Sequence, residues 1–253
     1  NIDMTSMTAD EAQTTILAAL ATGFTELKLT GELSKIGMGG NWGTFINNKK
    51  ITKCDLTGVT GWGRTPTLPE LAFMNCTALQ EVTLPDDVRV IGSSAFFGCA
   101  ALTTVNLSQV TWINLNAFYE CTSLEMLILD NVTEIGREVF YGCTSLKTLK
   151  IPKCTRFGNY IVTGCKALTR IEATATGDFL DIIGNSSIEN YAVFHNRDTH
   201  SGENAFAPAR CDLVLNTDKQ EDGTAVPKVS GNNRWTLAAN ASPMMWKNIT
   251  FRQ

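Results

Sequence analysis

The stretch AFFGCAALTTVNLSQVTWINLNAF, residues 95–118, contains one complete copy of a 22-residue pattern and the start of the next. In each copy a Cys follows a Phe by three residues, and a Leu follows that Cys by three more. These three positions recur with spacings of 23, 22, 22 and 22 residues. Their members are Phe73, Phe96, Phe118, Phe140 and Val162; Cys76, Cys99, Cys121, Cys143 and Cys165; and Leu79, Leu102, Leu124, Leu146 and Leu168. Three columns with one period predict a repeat architecture.

One copy of the pattern cannot bury its own apolar side chains. Val105 and Leu107 alternate with polar residues, as in a half-buried strand, so they are expected to point inward. A 22-residue unit is too short to close that surface against itself, but identical neighbours can cover one another. The sequence therefore predicts a solenoid with one parallel ladder of short strands, about 4.8 Å apart, joined by irregular or short helical returns.

The flanking segments divide the chain into five parts. Thr8 and Glu11 have the spacing of a capping box, which predicts a helix that ends near Gly23. Val193 and Leu215 extend the 22-residue period beyond Ile171. The predicted parts are an N-terminal helical cap (1–23), irregular repeats (24–67), regular repeats (68–173), degenerate repeats (174–215), and a loop and C-terminal cap (216–253) that contains Trp235, Met244, Met245, Trp246, Ile249 and Phe251.

Composition excludes several classes of partner. The formal net charge is −4, with 21 Lys and Arg against 25 Asp and Glu, and no basic patch suggests nucleic acid. No run of 18 apolar residues is present, so no transmembrane segment is expected. The chain opens on Asn1-Ile2-Asp3, which we interpret as a trimmed start that has lost any export signal.

No catalytic, cofactor or metal site is predicted. His195 and His200 are five residues apart in one degenerate segment, a poor spacing for a metal on one helix face. Gly37 to Gly40 lack the Gly-Lys-Ser/Thr sequence of a phosphate loop, and no Gly-x-Ser-x-Gly motif is present.

Of the eight cysteines, five share one repeat position, and a column of buried thiols is the favoured interpretation. Cys154 shares the position of Val110 and Val132, whereas Cys54 and Cys211 have no clear repeat mates. Cys54 and Cys211 are therefore the two cysteines most expected to behave differently from the column of buried thiols. Disulfides between adjacent rungs remain an alternative interpretation. The absence of a Cys-x-x-Cys pair argues against a zinc site with thiolate ligands.

The repeats resemble BspA-like leucine-rich repeats, which occur on the surfaces of Bacteroides-type bacteria. The resemblance is carried by the Cys column, by Ile91-Gly92 and Ile135-Gly136, and by Ala95-Phe96 and Ala117-Phe118. It implies an α/β leucine-rich-repeat solenoid, wound as a right-handed superhelix, in an exported, often lipid-anchored protein. Val110, Val132 and Cys154 stand where the general pattern has Asn or Cys, so apolar packing, not an asparagine ladder, is expected to fix the turn.

The outward strand positions form the first candidate binding surface. One column is Glu81, Thr104, Met126, Thr148 and Arg170, and the next is Thr83, Asn106, Ile128, Lys150 and Glu172. Met126 and Ile128 would give this face an apolar centre, which can mark a contact site. The alternative is an ordinary sheet exterior.

A second candidate surface is the aromatic column Phe97, Tyr119 and Tyr141. At about 4.8 Å per rung these rings are spaced to stack as a platform for a glycan or peptide. The alternative is that they shield the outer turn of each repeat.

The sequence therefore predicts a non-enzymatic binding module, and the resemblance implies that it is exported and recognises a host extracellular-matrix protein or a bacterial surface protein. The resemblance implies adhesion. A glycan-binding surface protein is the alternative, and an unrecognised enzyme or a purely structural surface-layer role is more remote.

Overall fold

The computed structural model describes residues 1–38, 43–174, 211–216 and 248–252. Within them the repeats form a solenoid of parallel strands. One side of it, here called the first ladder, consists of two five-stranded sheets. The first sheet contains β1 (Ile2–Asp3), β2 (Glu26–Glu32), β3 (Lys53–Thr60), β5 (Glu81–Thr83) and β7 (Thr104–Val105). The second contains β9 (Met126–Ile128), β11 (Thr148–Ile151), β13 (Arg170–Thr174), β14 (Asp212–Asn216) and β15 (Asn248–Arg252). The predicted parallel ladder is therefore present, but it is interrupted between β7 and β9.

A second ladder was not predicted, and the expectation of one ladder is wrong. Its strands are β4 (Thr67–Leu68), β6 (Val90–Ile91), β8 (Trp112–Ile113), β10 (Glu134–Ile135) and β12 (Arg156–Phe157). Most of these two-residue segments contain a β-branched residue, which favours an extended backbone. The three inner strands pair in parallel with the rungs on both sides, and β4 and β12 are the edge strands of the ladder. The returns of the repeats are thus partly strand and not helical.

The glycine that follows several of these strands lies where two rungs come too close for a side chain. A Cβ added at Gly136 would meet the backbone nitrogen of Leu115 at 2.6 Å. This close approach explains the Ile-Gly pairs of the repeat.

A third set of bonds joins the turns of successive rungs and is here called the turn ladder. In the rung of Ser94, Phe96 and Gly98, these three backbone N–H groups donate to carbonyls of the next rung at 2.9, 2.8 and 2.8 Å. Every second residue of the turn thus bonds to the next rung, and this backbone conformation includes a residue with left-handed φ at two places per rung. At the first place these residues are Leu71, Ser94, Asn116, Glu138 and Tyr160, with φ between 54° and 62°. The turn is therefore held by its backbone.

The core is a stack of identical layers. The rings of Phe45, Phe73, Phe96, Phe118 and Phe140 lie one above another, with centroid separations of 5.2, 5.6, 5.1 and 6.0 Å. The predicted Phe, Cys and Leu columns are all buried. Each rung covers its neighbour, as the repeat pattern indicated.

The five aligned thiols also make hydrogen bonds. The Sγ atoms of Cys76, Cys99, Cys121, Cys143 and Cys165 donate to the backbone carbonyls of Phe45, Phe73, Phe96, Phe118 and Phe140 at 2.8, 3.0, 3.1, 3.2 and 3.1 Å. Each bond joins one rung to the rung before it. The turn that apolar packing was expected to fix is a different one, and its residues Val110, Val132 and Cys154 are buried.

The N-terminal cap contains the predicted helix, α1 (Ala9–Ala21), with both bonds of the capping box between Thr8 and Glu11. Ala12, Ile16 and Leu20 are its buried residues. In the described residues, the other helical segment is a single 3₁₀ turn at Leu33–Lys35. The α/β description thus applies to the cap and not to the repeats, and the right-handed superhelix stays a prediction.

The last strands correct the repeat alignment. Ile171 pairs with Leu213 and Ala173 with Leu215, so β14 is the direct neighbour of β13 and no rung intervenes. The proposed period through Val193 and Leu215 is therefore wrong. Residues 248–252, expected in a cap, form the strand β15 beside β14. Val193, His195, His200, Trp235, Met244, Met245 and Trp246 lie outside the described residues, and the five-part division stays a prediction.

Candidate binding face

The two outward columns predicted from the sequence lie on the first ladder. Glu81 is the register partner of Thr104, and Thr148 lies between Met126 and Arg170. Lys150 likewise lies between Ile128 and Glu172. We call the outward surface of the first ladder the front face. The register is continuous on either side of the interruption between β7 and β9.

Met126 and Ile128 lie at the centre of the front face and are 59% and 46% exposed. Both belong to β9, whose middle residue Leu127 is buried. The alternation of strand side chains explains this arrangement, because every second residue must face solvent. Large exposed apolar side chains on a regular strand are available for contact with a partner.

Most charges of the front face are paired with one another. The ion pairs are Lys28 Nζ to Asp55 Oδ2 at 2.6 Å, Lys53 Nζ to Glu26 Oε1 at 3.4 Å, and a guanidinium nitrogen of Arg170 to Glu172 Oε1 at 2.6 Å. Next to the centre, Lys147 meets Glu125 at 2.8 Å and Lys150 meets Asp130 at 3.1 Å. Burial tends to raise the pKa of Asp55, but the hydrogen bonds that its carboxylate accepts from Lys28 and Thr57 outweigh this and hold the pKa below its ordinary value. The charges therefore largely cancel at the periphery, and the centre is neutral.

A hollow of about 340 Å³ lies at the N-terminal end of the front face. Its charged lining residues are Glu26, Lys28, Lys53, Asp55 and Glu81. Four of these five form the two ion pairs described above, so the hollow has little net charge to attract an ion. The repeat pattern indicated Glu81 but not the other four charged residues, because these belong to β2 and β3, which lie outside the regular repeats.

Asn106 has a structural contact that the sequence did not indicate. Its side-chain oxygen accepts a hydrogen bond from the Leu84 backbone N–H at 2.6 Å, and its amide nitrogen donates to the Leu84 carbonyl at 2.9 Å. The side chain of Asn106 thus hydrogen-bonds to both the N–H and the C=O group of Leu84 in the preceding rung. This contact coincides with the end of β7 at Val105.

The aromatic column stacks as its spacing predicted. Phe97 and Tyr119 have ring centroids 4.6 Å apart and 4° from parallel, and Tyr119 and Tyr141 are 4.6 Å apart at 2°. In such a stack both faces of the middle ring are covered by its neighbours. The column therefore presents ring edges to solvent, whereas a sugar ring stacks best on an open ring face.

The second ladder carries an apolar pair that was not proposed as a site. Trp112 and Leu115 are 40% and 44% exposed. Trp112 is the register partner of Val90 and Glu134 in the neighbouring rungs, and unlike Val90 it is exposed. Alignment of the Val-x-x-Ile segments would have identified it, had those segments been read as strands.

The eight cysteines are free and buried. Burial raises the pKa of Cys143 and of Cys211 to about 12, so these thiols stay protonated at neutral pH. Cys54 is the register partner of Leu27 and Val82, an inward strand position, which supplies the repeat mates that the sequence did not reveal. Cys54 and Cys211 lie on rungs six steps apart in the first ladder, or roughly 29 Å at the usual strand spacing, so they cannot form a disulfide with each other.

Within the described ranges, no three His, Cys, Asp or Glu side chains are placed to hold a metal ion. The same part of the chain has no helix long and apolar enough to cross a membrane.

The sequence matches the family model described as a BspA type leucine-rich repeat region, in six copies over residues 44–169. No curated protein matches it.

Several solved structures are similar to parts of the chain. The T. pallidum protein TpLRR is 24% identical, with a TM-score of 0.40 over 58% of this chain and 64% of its own. A leucine-rich repeat protein from Bacteroides ovatus is 24% identical, with a TM-score of 0.48 over 62% of this chain and 39% of its own. The pneumococcal vaccine antigen PcpA is 16% identical, with a TM-score of 0.46 over 92% of this chain and 43% of its own. The chain thus spans less than two thirds of the length of each of these proteins.

Proposed function

Because the chain belongs to the BspA-type leucine-rich repeat family, through the six copies in residues 44–169, we propose that it is a non-enzymatic module that binds a protein through its front face. The single observation that carries this proposal is the exposure of Met126 and Ile128 at the neutral centre of that face. An apolar centre with polar surroundings is the usual anatomy of a protein interface. Binding energy would concentrate on these two side chains.

We propose further that the module is exported and acts at the cell surface, either lipid-anchored or secreted, as an adhesin for host extracellular-matrix or bacterial surface proteins. The support is the family alone. Rigid rungs suit this role, since a preformed surface loses little conformational freedom when it binds.

The alternative, glycan binding through Phe97, Tyr119 and Tyr141, has weaker support. The rings cover one another at 4.6 Å, which leaves no open face on the middle ring. A glycan would have to bind ring edges, where stacking contributes little.

The test compares two double variants of the purified chain. The first carries Met126→Asp and Ile128→Asp on the front face, and its matched control carries Trp112→Asp and Leu115→Asp on the second ladder. Each protein is applied to individually immobilised extracellular-matrix and bacterial surface proteins, after circular dichroism has established that it is folded.

The proposal expects a ligand of the unmodified chain to lose at least roughly 30-fold in affinity for the front-face variant, about 2 kcal/mol, and less than about threefold for the control. Equal losses in both variants, or none in the first, would refute the role of the front face. Retention of the chain on immobilised polysaccharide, but on no protein, would favour the glycan alternative.

A further inference from the structure

The first ladder is interrupted at a single step, and we propose that this break is where the partner docks. The partner would be an extended, uncharged polypeptide segment whose backbone pairs with the facing edges of β7 and β9. This inference rests on the proposed function and deepens it, because it names the conformation and chemistry of the segment that is bound.

The break is narrow and has sharp limits. On one side of it the Ser123 backbone N–H donates to the Ala100 carbonyl at 3.1 Å, and on the other the Asn131 side chain donates to the Ser108 carbonyl at 2.7 Å. Among the hydrogen bonds of the described residues, none joins 103–107 to 125–129.

The other two sides of the same rungs stay joined. Trp112 pairs with Glu134 in the second ladder, and the Glu120 N–H donates to the Tyr141 carbonyl at 2.7 Å in the turn ladder. The break therefore concerns the front face alone. Since the facing rungs remain connected, this step can open by bending about the ladders that persist.

The backbone groups that face the break follow from the register. Thr104 N–H donates to the Gln80 carbonyl, so the backbone of Thr104 faces β5 and that of Val105 faces the break. On the other edge, Leu129 N–H donates to the Lys150 carbonyl, so Leu127 and Leu129 face β11. Met126 and Ile128 then direct their N–H and C=O groups at β7. Two parallel edges with unused donors and acceptors confront each other.

Asn106 provides a cause for the break. Its side chain takes both backbone groups of Leu84, at 2.6 and 2.9 Å, where a regular ladder would use the backbone of its own rung. The chain beyond Val105 is thereby kept out of the regular strand geometry that pairing with β9 requires. A local side-chain bond of this kind competes directly with strand pairing.

Solvent reaches the inner side of the strands at this step. Val105 is only partly buried, although its counterparts Val82 and Leu149 on regular rungs are 1% and 0% exposed.

The side chains around the break indicate which kind of segment can bind there. The outward side chains that flank the break are Thr104, Met126 and Ile128, with Thr148 on the next rung, and all are uncharged. On the β9 side the nearest charges, Lys147 with Glu125 and Lys150 with Asp130, are paired with each other, and on the other side the register partner of Thr104 is the carboxylate Glu81. An extended segment fits, because its backbone supplies hydrogen bonds to an exposed edge while alternate apolar side chains contact Met126 and Ile128. The required opening is one strand spacing, about 4.8 Å.

Hydrogen exchange of the full chain tests this inference with a defined probe, the acetylated and amidated peptide Thr-Val-Thr-Leu-Thr-Val. At saturating peptide, the amides of Val105, Leu107, Met126 and Ile128 are expected to exchange about tenfold more slowly. A peptide with the same side chains but N-methylated at all six residues, so that neither of its edges can donate a backbone hydrogen bond, is the control and should give no protection.

A variant supplies the second arm. Asn106→Val removes both side-chain bonds to Leu84 and lets the chain from Val105 to Leu107 take a regular strand geometry, so β7 should pair with β9, protect these amides without peptide and abolish the response to it. Three results would each overturn the inference: amides at the break as protected as those of Leu149 in the free chain, equal protection by both peptides or by neither, or an undiminished response in Asn106→Val. None of these three results changes what the binding test with the Met126→Asp, Ile128→Asp variant measures. Failure of the inference is therefore distinguishable from failure of the proposed function.

Discussion

At the scale of single residues, the thiols of the Cys column have two roles. The sequence predicted that they are buried, because Cys is small and apolar and recurs with the Phe and Leu columns. It could not predict the bonds from Sγ to the preceding rung, because these depend on carbonyls that alternating backbone conformations turn toward the thiol. The outcome of substitution follows from these bonds.

Replacement of Cys121 by Ser is expected to be no more destabilising than replacement by Ala, since the hydroxyl keeps a donor for the Phe96 carbonyl. The Ala variant should lose about 1–2 kcal/mol. Cys54, whose sulfur has no hydrogen bond in the described structure, is the control, and there Ser should be the worse of the two. Urea unfolding measures the free energies. The same order at both positions would contradict the donor role.

Stability is also expected to fall at alkaline pH. Burial raises the pKa of Cys143 to about 12, against about 8.5 for a free thiol in the unfolded chain. The folded state then keeps a proton that the unfolded state loses, so this contribution is complete below about pH 8.5 and is lost as the pH rises toward 12. Urea unfolding at pH 7.5, 9 and 10 under reducing conditions should show a shallower decline for Cys143→Ala than for the unmodified chain. Parallel declines would refute the contribution of this thiol.

At the scale of elements, the second ladder and the break limit what the sequence could reveal. Val90-Ile91 and its equivalents are two-residue strands, too short to show an alternation, so their extended form is set by pairing with neighbouring rungs. The break lies beside Asn106, whose sequence position suggested only an outward polar residue and not its bonds to the Leu84 backbone. Both features arise from contacts between rungs about 22 residues apart.

The glycine column gives a prediction at this scale. Gly136→Ala should cost at least about 2 kcal/mol, because the added Cβ would lie 2.6 Å from the Leu115 nitrogen and the two rungs must separate. Asn114 holds the equivalent place one rung earlier with a side chain already present, so Asn114→Ala should cost less than about 1 kcal/mol, mainly its 3.2 Å bond to the Ile91 carbonyl. Thermal unfolding of both variants makes the comparison. Comparable losses would mean that the close approach is not what selects glycine.

At the scale of the whole molecule, the period was sufficient to predict the solenoid, because three apolar columns in step leave a rung no other way to bury its side chains. It failed after residue 171, where β14 follows β13 directly although about 40 residues separate them in the chain. A long return between two paired strands breaks the spacing without breaking the ladder. Period alone therefore predicts which residues stack only while the returns keep one length.

The stacking of equivalent rungs is the central claim, and removal of one period tests it most directly. Residues 121–124 and 143–146 both read Cys-Thr-Ser-Leu, so deletion of residues 124–145 joins Ser123 to Leu146 in a native sequence and a native register. Urea unfolding followed by circular dichroism should show a cooperative transition for this 22-residue deletion. A deletion of only residues 124–134 puts strand positions opposite turn positions and should abolish that transition. If the half-period deletion unfolds as cooperatively as the full-period one, or if neither folds, the account of interchangeable stacked rungs is contradicted.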